Sequence, residues 1–175
     1  SGYSAVYLIR PQVPAPAENA DIIYILDTAD SSASLQNVAK AALTEFLRNM
    51  NRYSHFFIST INGEIYSNEF LAPTLTNIAK VEEWLRNLDS SVQIGEKAYK
   101  DAVQKVFDIS NGAQIIFITA SGLLCRYHNL QNLIIKNVYK SGQAFGSAVQ
   151  HVGKSQTTFN IVSIGSGIHN GFYEK

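Results

Sequence analysis

The sequence predicts an α/β protein in which helices cover both faces of a mostly parallel central sheet. Two uniformly apolar runs, 22–26 and 115–118, are typical of strands that are buried on both faces. Segments with apolar residues at spacings of three and four, the helical period, alternate with these runs. An Asn62-Gly63 pair between two further strand-like runs indicates a tight hairpin, and so one antiparallel edge strand. The expected architecture has three layers, α/β/α.

The individual elements follow in order along the chain. Strands are predicted at 5–9, 21–27, 55–60, 64–70, 114–119 and 158–164. The strand at 64–70 is expected to run antiparallel to the one before it, and 114–119 to lie beside 21–27 in the centre of the sheet. Helices are predicted at 35–50, from Thr74 to Leu88, from Ile94 to a stop at Asn111-Gly112, and at 130–152 with an interruption near Ser141-Gly142. Ser32 or Ser34 can cap the first helix.

Two regions of unequal size are expected. Residues 1–19 are predicted to be a short strand followed by a linker, because 11–19 contain three of the four prolines. Residues 20–175 are predicted to form the globular domain. Its last residues, 171–175, are typical of the opening of another helix, which predicts a domain that is truncated at its C-terminus. Whether the strand at 5–9 joins the sheet stays open at this point.

Composition excludes several classes of function. Lys plus Arg and Asp plus Glu number 14 each in 175 residues, so nothing favours nucleic acid or an anionic membrane surface. No apolar run is long enough to span a membrane. Charged residues make up only 16%, which weakly favours a secreted or cell-surface protein without deciding the compartment. A single cysteine, Cys125, excludes a disulfide framework and multi-thiolate metal sites.

Signals for an enzyme are weak. The turn after the first long strand, Thr28-Ala29-Asp30-Ser31, lacks the glycines that let a dinucleotide pyrophosphate approach the backbone. Cys125 and His128 form a C-x-x-H pair, but a catalytic dyad is defined by geometry and not by spacing. The expectation is therefore a protein that is not an enzyme, with a hydrolase or nucleotide-binding enzyme kept as a third hypothesis.

Several aromatic side chains in or near predicted loops and edges would mark a contact surface if they clustered. They are Tyr66, Phe70, Tyr127, Phe145, Phe172 and Tyr173.

Three segments carry a resemblance to a known family over roughly residues 20–168. They are DIIYILDTADSS, NLDSSVQIGEKAYKDAVQKVF and AQIIFITASG. Together with the order of the elements, they resemble a von Willebrand factor type A domain, also called an integrin I-type domain. The resemblance implies a Rossmann-like sheet with a binding surface at the carboxyl ends of the central strands. The rule for ligand crevices in open α/β sheets indicates the same place.

The resemblance also implies a divalent-cation site that this chain does not complete. The family holds its cation with a DxSxS loop, a threonine before the third helix and an aspartate after the fourth strand. Asp27 and Ser31 match the loop. Three of the five expected ligands are replaced, by Ala29, Val92 and Ala120. Magnesium demands near-octahedral oxygen coordination, so the residues that remain are expected to bind it too weakly.

The sequence therefore predicts a metal-independent module for protein–protein interaction or scaffolding, whose partner is another protein or a second copy in an assembly. The expected binding surface is the relic of the cation site, formed by Asp27, Ala29, Asp30, Ser31, Ser91, Val92, Ala120 and Ser121. No cofactor is expected. The leading alternative is a cation-dependent adhesion domain in which Asp27, Asp30 and Ser31 hold Mg²⁺, helped by a hydroxyl of Ser90 or Ser91.

Overall fold

A computed structural model describes the backbone at residues 7–8, 20–89, 93–121, 129–130, 132–137 and 157–165. Five strands form one sheet in the order β1-β5-β4-β2-β3. They are β1 (Tyr7–Leu8), β2 (Ile22–Asp27), β3 (Phe56–Thr60), β4 (Gln114–Thr119) and β5 (Phe159–Ser163). Neighbours among β3, β2, β4 and β5 run parallel, whereas β1 pairs antiparallel with β5.

Helices cover both faces of this sheet, which confirms the predicted three-layer α/β class. They are α1 (Ala33–Arg48), α2 (Leu75–Asn87) and α3 (Glu96–Ser110), with a further helical stretch at 129–130 and 132–137. The side-chain oxygens of Ser32 and Thr74 cap α1 and α2, because each accepts a hydrogen bond from a first-turn amide. Asn111 ends α3 in the left-handed conformation, as predicted.

Alternate residues of β2 belong to two separate apolar cores, one on each face of the sheet. Ile23 and Ile25 pack with α3 on one face, while Tyr24 and Leu26 pack with α1 and α2 on the other. All four side chains are essentially without solvent exposure. A strand buried on both faces needs an unbroken apolar run, and this explains why β2 and β4 were recognisable from sequence.

The predicted strand at 64–70 is wrong as a regular strand. The segment forms two isolated antiparallel bridges with β3, Ser59–Ile65 and Phe56–Leu71, and no continuous ladder. Four residues lie between Tyr66 and Leu71, but only one lies between their partners Ile58 and Phe56 on β3. The extra residues bulge away from the sheet, so the ladder cannot continue. Residues 61–71 are called the hairpin arm below.

The turn into the hairpin arm also differs from the expected two-residue hairpin. Thr60 N donates to Glu64 O at 2.8 Å, which leaves a three-residue loop at 61–63. Of the Asn62-Gly63 pair only Gly63 has a positive φ, +88°. A type I turn followed by one left-handed residue is the usual way to close a three-residue hairpin.

Other predictions fall partly or wholly outside the described residues. Tyr7 and Leu8 of the predicted strand at 5–9 do join the sheet, opposite Ser163 and Val162. The proline-rich linker, the end of the chain and most of the predicted helix at 130–152 are not described. Within the described ranges, no helix is both long and apolar enough to cross a membrane.

Candidate functional site

The topology places the ends of β2 and β4 at the switch point of the sheet. From β2 the chain moves outward to β3, and it later returns to the other side of β2 as β4. Asp27 and Thr119, the last residues of these two strands, are directly paired. Ligands of open α/β sheets bind in the crevice at such a point, so this mouth of the sheet is the candidate site.

Asp27 is completely buried, and its carboxylate already has three hydrogen-bond donors. The Tyr99 hydroxyl donates to Oδ2 through a short contact, and Thr119 Oγ1 lies 2.7 Å from the same oxygen. The backbone amide of Ala29 donates to Oδ1 at 3.2 Å. Buried polar groups are stable only when paired in this way.

Thr119 extends this network into the next loop. Its Oγ1 accepts a hydrogen bond from Ser121 N at 3.0 Å, and Ser121 O is an alternative acceptor for its proton, also at 3.0 Å. Tyr99 projects from the buried face of α3, where its ring lies 6.2 Å from that of Phe117. These residues, Asp27, Ala29, Tyr99, Thr119 and Ser121, are called the Asp27 cluster.

The electrostatics of the Asp27 cluster are those of a desolvated acid. Burial raises the pKa of Asp27 from 3.8 to about 6, because the charged form loses its hydration. The hydrogen bonds from Tyr99, Thr119 and Ala29 act in the opposite direction and stabilise the carboxylate. The side chain is therefore charged at neutral pH and protonated in mild acid.

Several residues predicted for the site do meet here. Ala120 N donates to Asp27 O at 2.8 Å, and Ala29 and Ser121 belong to the same network. Ala29 and Ala120 are 2% and 7% exposed, so their methyl groups are part of the core and not of an open surface.

Of the remaining predicted residues, the two that the structure describes are not brought to the carboxylate. Asp30 is exposed and has a positive φ of 52°. The Ser31 hydroxyl donates to Thr28 O at 2.7 Å, and Ser31 O accepts from Gln36 Nε2 at 2.8 Å. Ser90, Ser91 and Val92 lie outside the described residues, as do Cys125 and His128.

The donor set of the Asp27 cluster does not fit a hard dication. Two hydroxyl groups and one amide direct their protons at the single carboxylate, whereas Mg²⁺ needs lone pairs directed at the ion. Nowhere in the described part of the chain do three or more His, Cys, Asp or Glu side chains come together in a way that could hold a metal.

Tyr99 and Thr119 are the residues that sequence reasoning missed. Tyr99 lies on the apolar stripe of α3, where periodicity alone predicts only burial. A signal was nevertheless present, since the hydroxyl of a buried tyrosine needs a polar partner. A strand-terminal acid such as Asp27 is the natural candidate for that partner.

A second feature, not predicted from the sequence, is a cavity of about 360 Å³ at the β3 edge of the sheet. It lies between β3, α3 and the hairpin arm, and is called the β3 groove below. Apolar lining residues are Phe57, Ile65, Phe70, Ala102, Val106 and Ile109, and polar ones are Ser59, Asn68, Lys105 and Asp108.

The described aromatic residues do not form one surface cluster. Tyr66 packs on Trp84 with ring centroids 5.3 Å apart, and Phe70 packs on Phe57 at 5.5 Å. The first pair belongs to the core on the α1 and α2 face, and the second to the core on the α3 face. Of the two predicted aromatics that the structure describes, Phe70 lines the β3 groove and Tyr66 does not. Tyr127, Phe145, Phe172 and Tyr173 lie outside the described residues.

Comparison with known proteins gives a distant structural likeness. No protein-family model matches the chain, and no curated protein matches it. The crystal structure of the manganese-loaded TRAP protein of Plasmodium vivax is similar, with a TM-score of 0.44 and 13% identity. The similarity covers 98% of this chain and 64% of that one, so the chain spans less than two thirds of its length. A likeness this remote supplies no argument about function.

Proposed function

We propose that this chain is a protein-binding module of the von Willebrand A type whose recognition does not depend on a cation. One observation carries the proposal. The carboxylate that the family resemblance assigns to a metal is completely buried and is hydrogen-bonded to Tyr99, Thr119 and Ala29.

A cation at Asp27 would have to displace these donors. Each hydrogen bond to a charged group contributes about 1.5–3 kcal/mol. The hydroxyls of Tyr99 and Thr119 would also have to find new acceptors inside the core. The threonine and second aspartate of the family are replaced by Val92 and Ala120, whose apolar side chains offer a cation no oxygen.

A role other than catalysis is supported by the placement of the histidine that the structure describes. His55 is the one histidine in the part of the chain that the structure describes, and its Nδ1 lies 3.2 Å from Asp21 Oδ1. Asp21 immediately precedes β2, so this exposed pair is at the opposite end of the strand from Asp27. Neither residue is in a position to act on a ligand at the mouth of the sheet.

Thermal unfolding in EDTA and in millimolar Mg²⁺ or Mn²⁺ tests the independence from cations. A ligand that binds the folded state raises the unfolding temperature as its concentration exceeds its Kd. We expect the same unfolding temperature in all three conditions. A rise with Mg²⁺ or Mn²⁺ that the Asp27→Asn variant abolishes would instead support the cation-dependent adhesion domain built on Asp27, Asp30 and Ser31.

Capture of partners on the immobilised chain, from extracts of the native source, tests protein binding itself. We expect the same partner band in EDTA and in Mg²⁺. A band that needs Mg²⁺ would contradict the proposal, and so would the absence of any band above that of a heat-denatured control.

A further inference from the structure

The β3 groove is a bounded recess and not an open channel. The hairpin arm is attached to β3 on either side of its bulge, by its two isolated bridges. Phe70 packs its ring on Phe57 beside one of these bridges, with centroids 5.5 Å apart, and α3 forms the opposite wall. Because the arm is attached at both ends, an extended chain cannot run along the edge of β3, whereas a compact molecule can enter from solvent.

The recess has the size and the lining of a small-ligand site. Its volume is about 360 Å³, and pockets for small molecules commonly measure about 300–1,000 Å³ and are mostly apolar. The buried side chains of Phe57, Ala102 and Val106 form its floor. Ile65 and Ile109, which are 45% and 42% exposed, line its rim. A molecule seated in the recess would therefore cover apolar surface that water now contacts.

The charges around the recess do not favour an ion. Lys105 and Asp108 both line it and are both exposed, so one positive and one negative group lie at the rim. Glu64 and Glu69 on the arm are exposed as well, and solvent and salt screen their charges. The buried lining residues carry no charge, so an ion seated among them would lose its hydration without gaining a counter-charge. A neutral ligand avoids this cost.

One buried polar group in the recess retains the capacity to accept a hydrogen bond. Ser59 lines the recess and is 5% exposed. Its hydroxyl donates to Thr60 O at 3.3 Å, and no residue in the described part of the chain donates to it. A hydroxyl oxygen carries two lone pairs, and a buried acceptor without a donor is unfavourable. A ligand with one N–H or O–H group would supply that donor.

We propose that the β3 groove binds a neutral, largely apolar small molecule that donates a single hydrogen bond to Ser59 Oγ. The apolar body of the molecule lies over Phe57 and Val106, and the rim residues Ile65 and Ile109 cover its sides. This activity goes beyond the proposed protein binding and does not depend on it.

Titration with two matched dyes tests the preference for a neutral ligand. The first dye, 1-anilinonaphthalene, is neutral and apolar and has one N–H group. The second is its 8-sulfonate, which differs only in carrying a negative charge. Dye fluorescence measures both affinities. We expect saturable one-site binding of the neutral dye, and binding of the sulfonate that is about tenfold or more weaker, because the recess offers its charge no buried partner.

Displacement of the neutral dye tests the hydrogen bond to Ser59. Indole and benzofuran have nearly the same shape, but benzofuran has an oxygen in place of the N–H group. Indole is expected to bind about threefold to tenfold more tightly, which is the contribution of one hydrogen bond. Ser59→Ala should abolish that difference. Tryptamine, an indole that carries an ammonium group, should bind no more tightly than indole.

Two pairs of variants locate the bound dye. Ala102→Leu fills the recess and Ile109→Glu places a charge on its rim, so each is expected to weaken binding about tenfold or more. Their matched controls, Ala98→Leu and Ile135→Glu, make the same changes at exposed helix positions that do not line the recess and should leave binding unchanged. Circular dichroism shows which variants fold, and the exposed position of Ile109 keeps the test decisive if Ala102→Leu does not.

Three results would overturn the proposal. They are the absence of saturable binding of the neutral dye, tighter binding of the sulfonate or of tryptamine than of its neutral counterpart, and binding that is insensitive to the groove variants. Equal binding of indole and benzofuran would overturn the role assigned to Ser59. Cation-independent capture of a protein partner would stand in each of these cases, so failure here is distinct from failure of the proposed function.

Discussion

The mouth of the sheet and the β3 groove differ in how far their side chains are buried and hydrogen-bonded within the chain. At the mouth, Asp27, Tyr99 and Thr119 satisfy one another and are buried. At the groove, Ile65 and Ile109 expose apolar surface and Lys105 has no described partner. The first region is closed by its own side chains, and the second leaves apolar surface in contact with solvent.

This difference shows why residue type alone is a poor guide to the binding surface. An acid that ends a central strand has the chemistry of a ligand, but burial together with hydrogen-bond donors makes it structural. A recess lined by ordinary core residues has no signature in the sequence. It arises only because the hairpin arm fails to pair along its whole length.

Truncation of Tyr99 should give the largest effect of all. Tyr99→Ala removes a fully buried ring and the main donor to Asp27, and we expect a loss of about 3–5 kcal/mol in the free energy of unfolding. Tyr99→Phe keeps the ring, so only the hydrogen bond is lost, at about 1.5–3 kcal/mol. Urea unfolding at neutral pH measures both.

Tyr53→Ala is the control, because Tyr53 is 60% exposed and stacks only with Arg52. Its expected cost is within about 0.5 kcal/mol. If Tyr99→Phe were as stable as the wild type, the hydroxyl of Tyr99 would not be holding Asp27, and the account of the mouth as a closed structural cluster would be wrong.

Asp27→Asn should stabilise the protein in a pH-dependent way. The pKa of Asp27 is raised to about 6 in the folded chain, so the folded state holds the proton more tightly than the unfolded state. The contribution of Asp27 to stability is then greatest below pH 4 and is lost as the pH rises through 6. The difference between the pKa of about 6 in the folded chain and the ordinary pKa of 3.8 corresponds to about 3 kcal/mol in the free energy of unfolding.

A neutral asparagine avoids this loss, so we expect Asp27→Asn to be more stable than the wild type at pH 8, by up to about 3 kcal/mol. The advantage should vanish near pH 4, where the wild-type acid is protonated too. Urea unfolding of both proteins at several pH values gives the difference directly, because all other titrating groups are shared. If Asp27→Asn were less stable than the wild type at pH 8, the hydrogen bonds to the charged carboxylate would outweigh its loss of hydration.

The fold was predictable because its strongest signals are local. β2 and β4 are apolar throughout, since both faces of each are covered, and the caps Ser32 and Thr74 act on amides three residues away. The hairpin arm was not predictable. Its Asn62-Gly63 turn suits a regular hairpin, but the segment that follows packs Phe70 against Phe57 instead of continuing the ladder, and turn chemistry does not encode that contact.

The candidate site was predictable only in part. The position of Asp27 follows from strand topology, because parallel strands on either side of a switch point end together. Its partner Tyr99 is 72 residues away in sequence on a helix. Nothing local to either residue specifies that pairing. The groove depends on three separated segments, so no spacing rule could have indicated it.

The smallest effect on stability is expected on the rim of the β3 groove. Ile109 is 42% exposed on the rim of the β3 groove, so replacing it by glutamate removes little buried apolar area. We expect Ile109→Glu to change the free energy of unfolding by less than about 0.5 kcal/mol, as measured by urea unfolding beside Ile135→Glu. A cost above about 1 kcal/mol would mean that Ile109 is part of the core, and its exposed surface would then no longer distinguish the groove from the mouth. A negligible cost would show that the exposed surface of Ile109 contributes little to the stability of the isolated chain, unlike the buried side chains at the mouth.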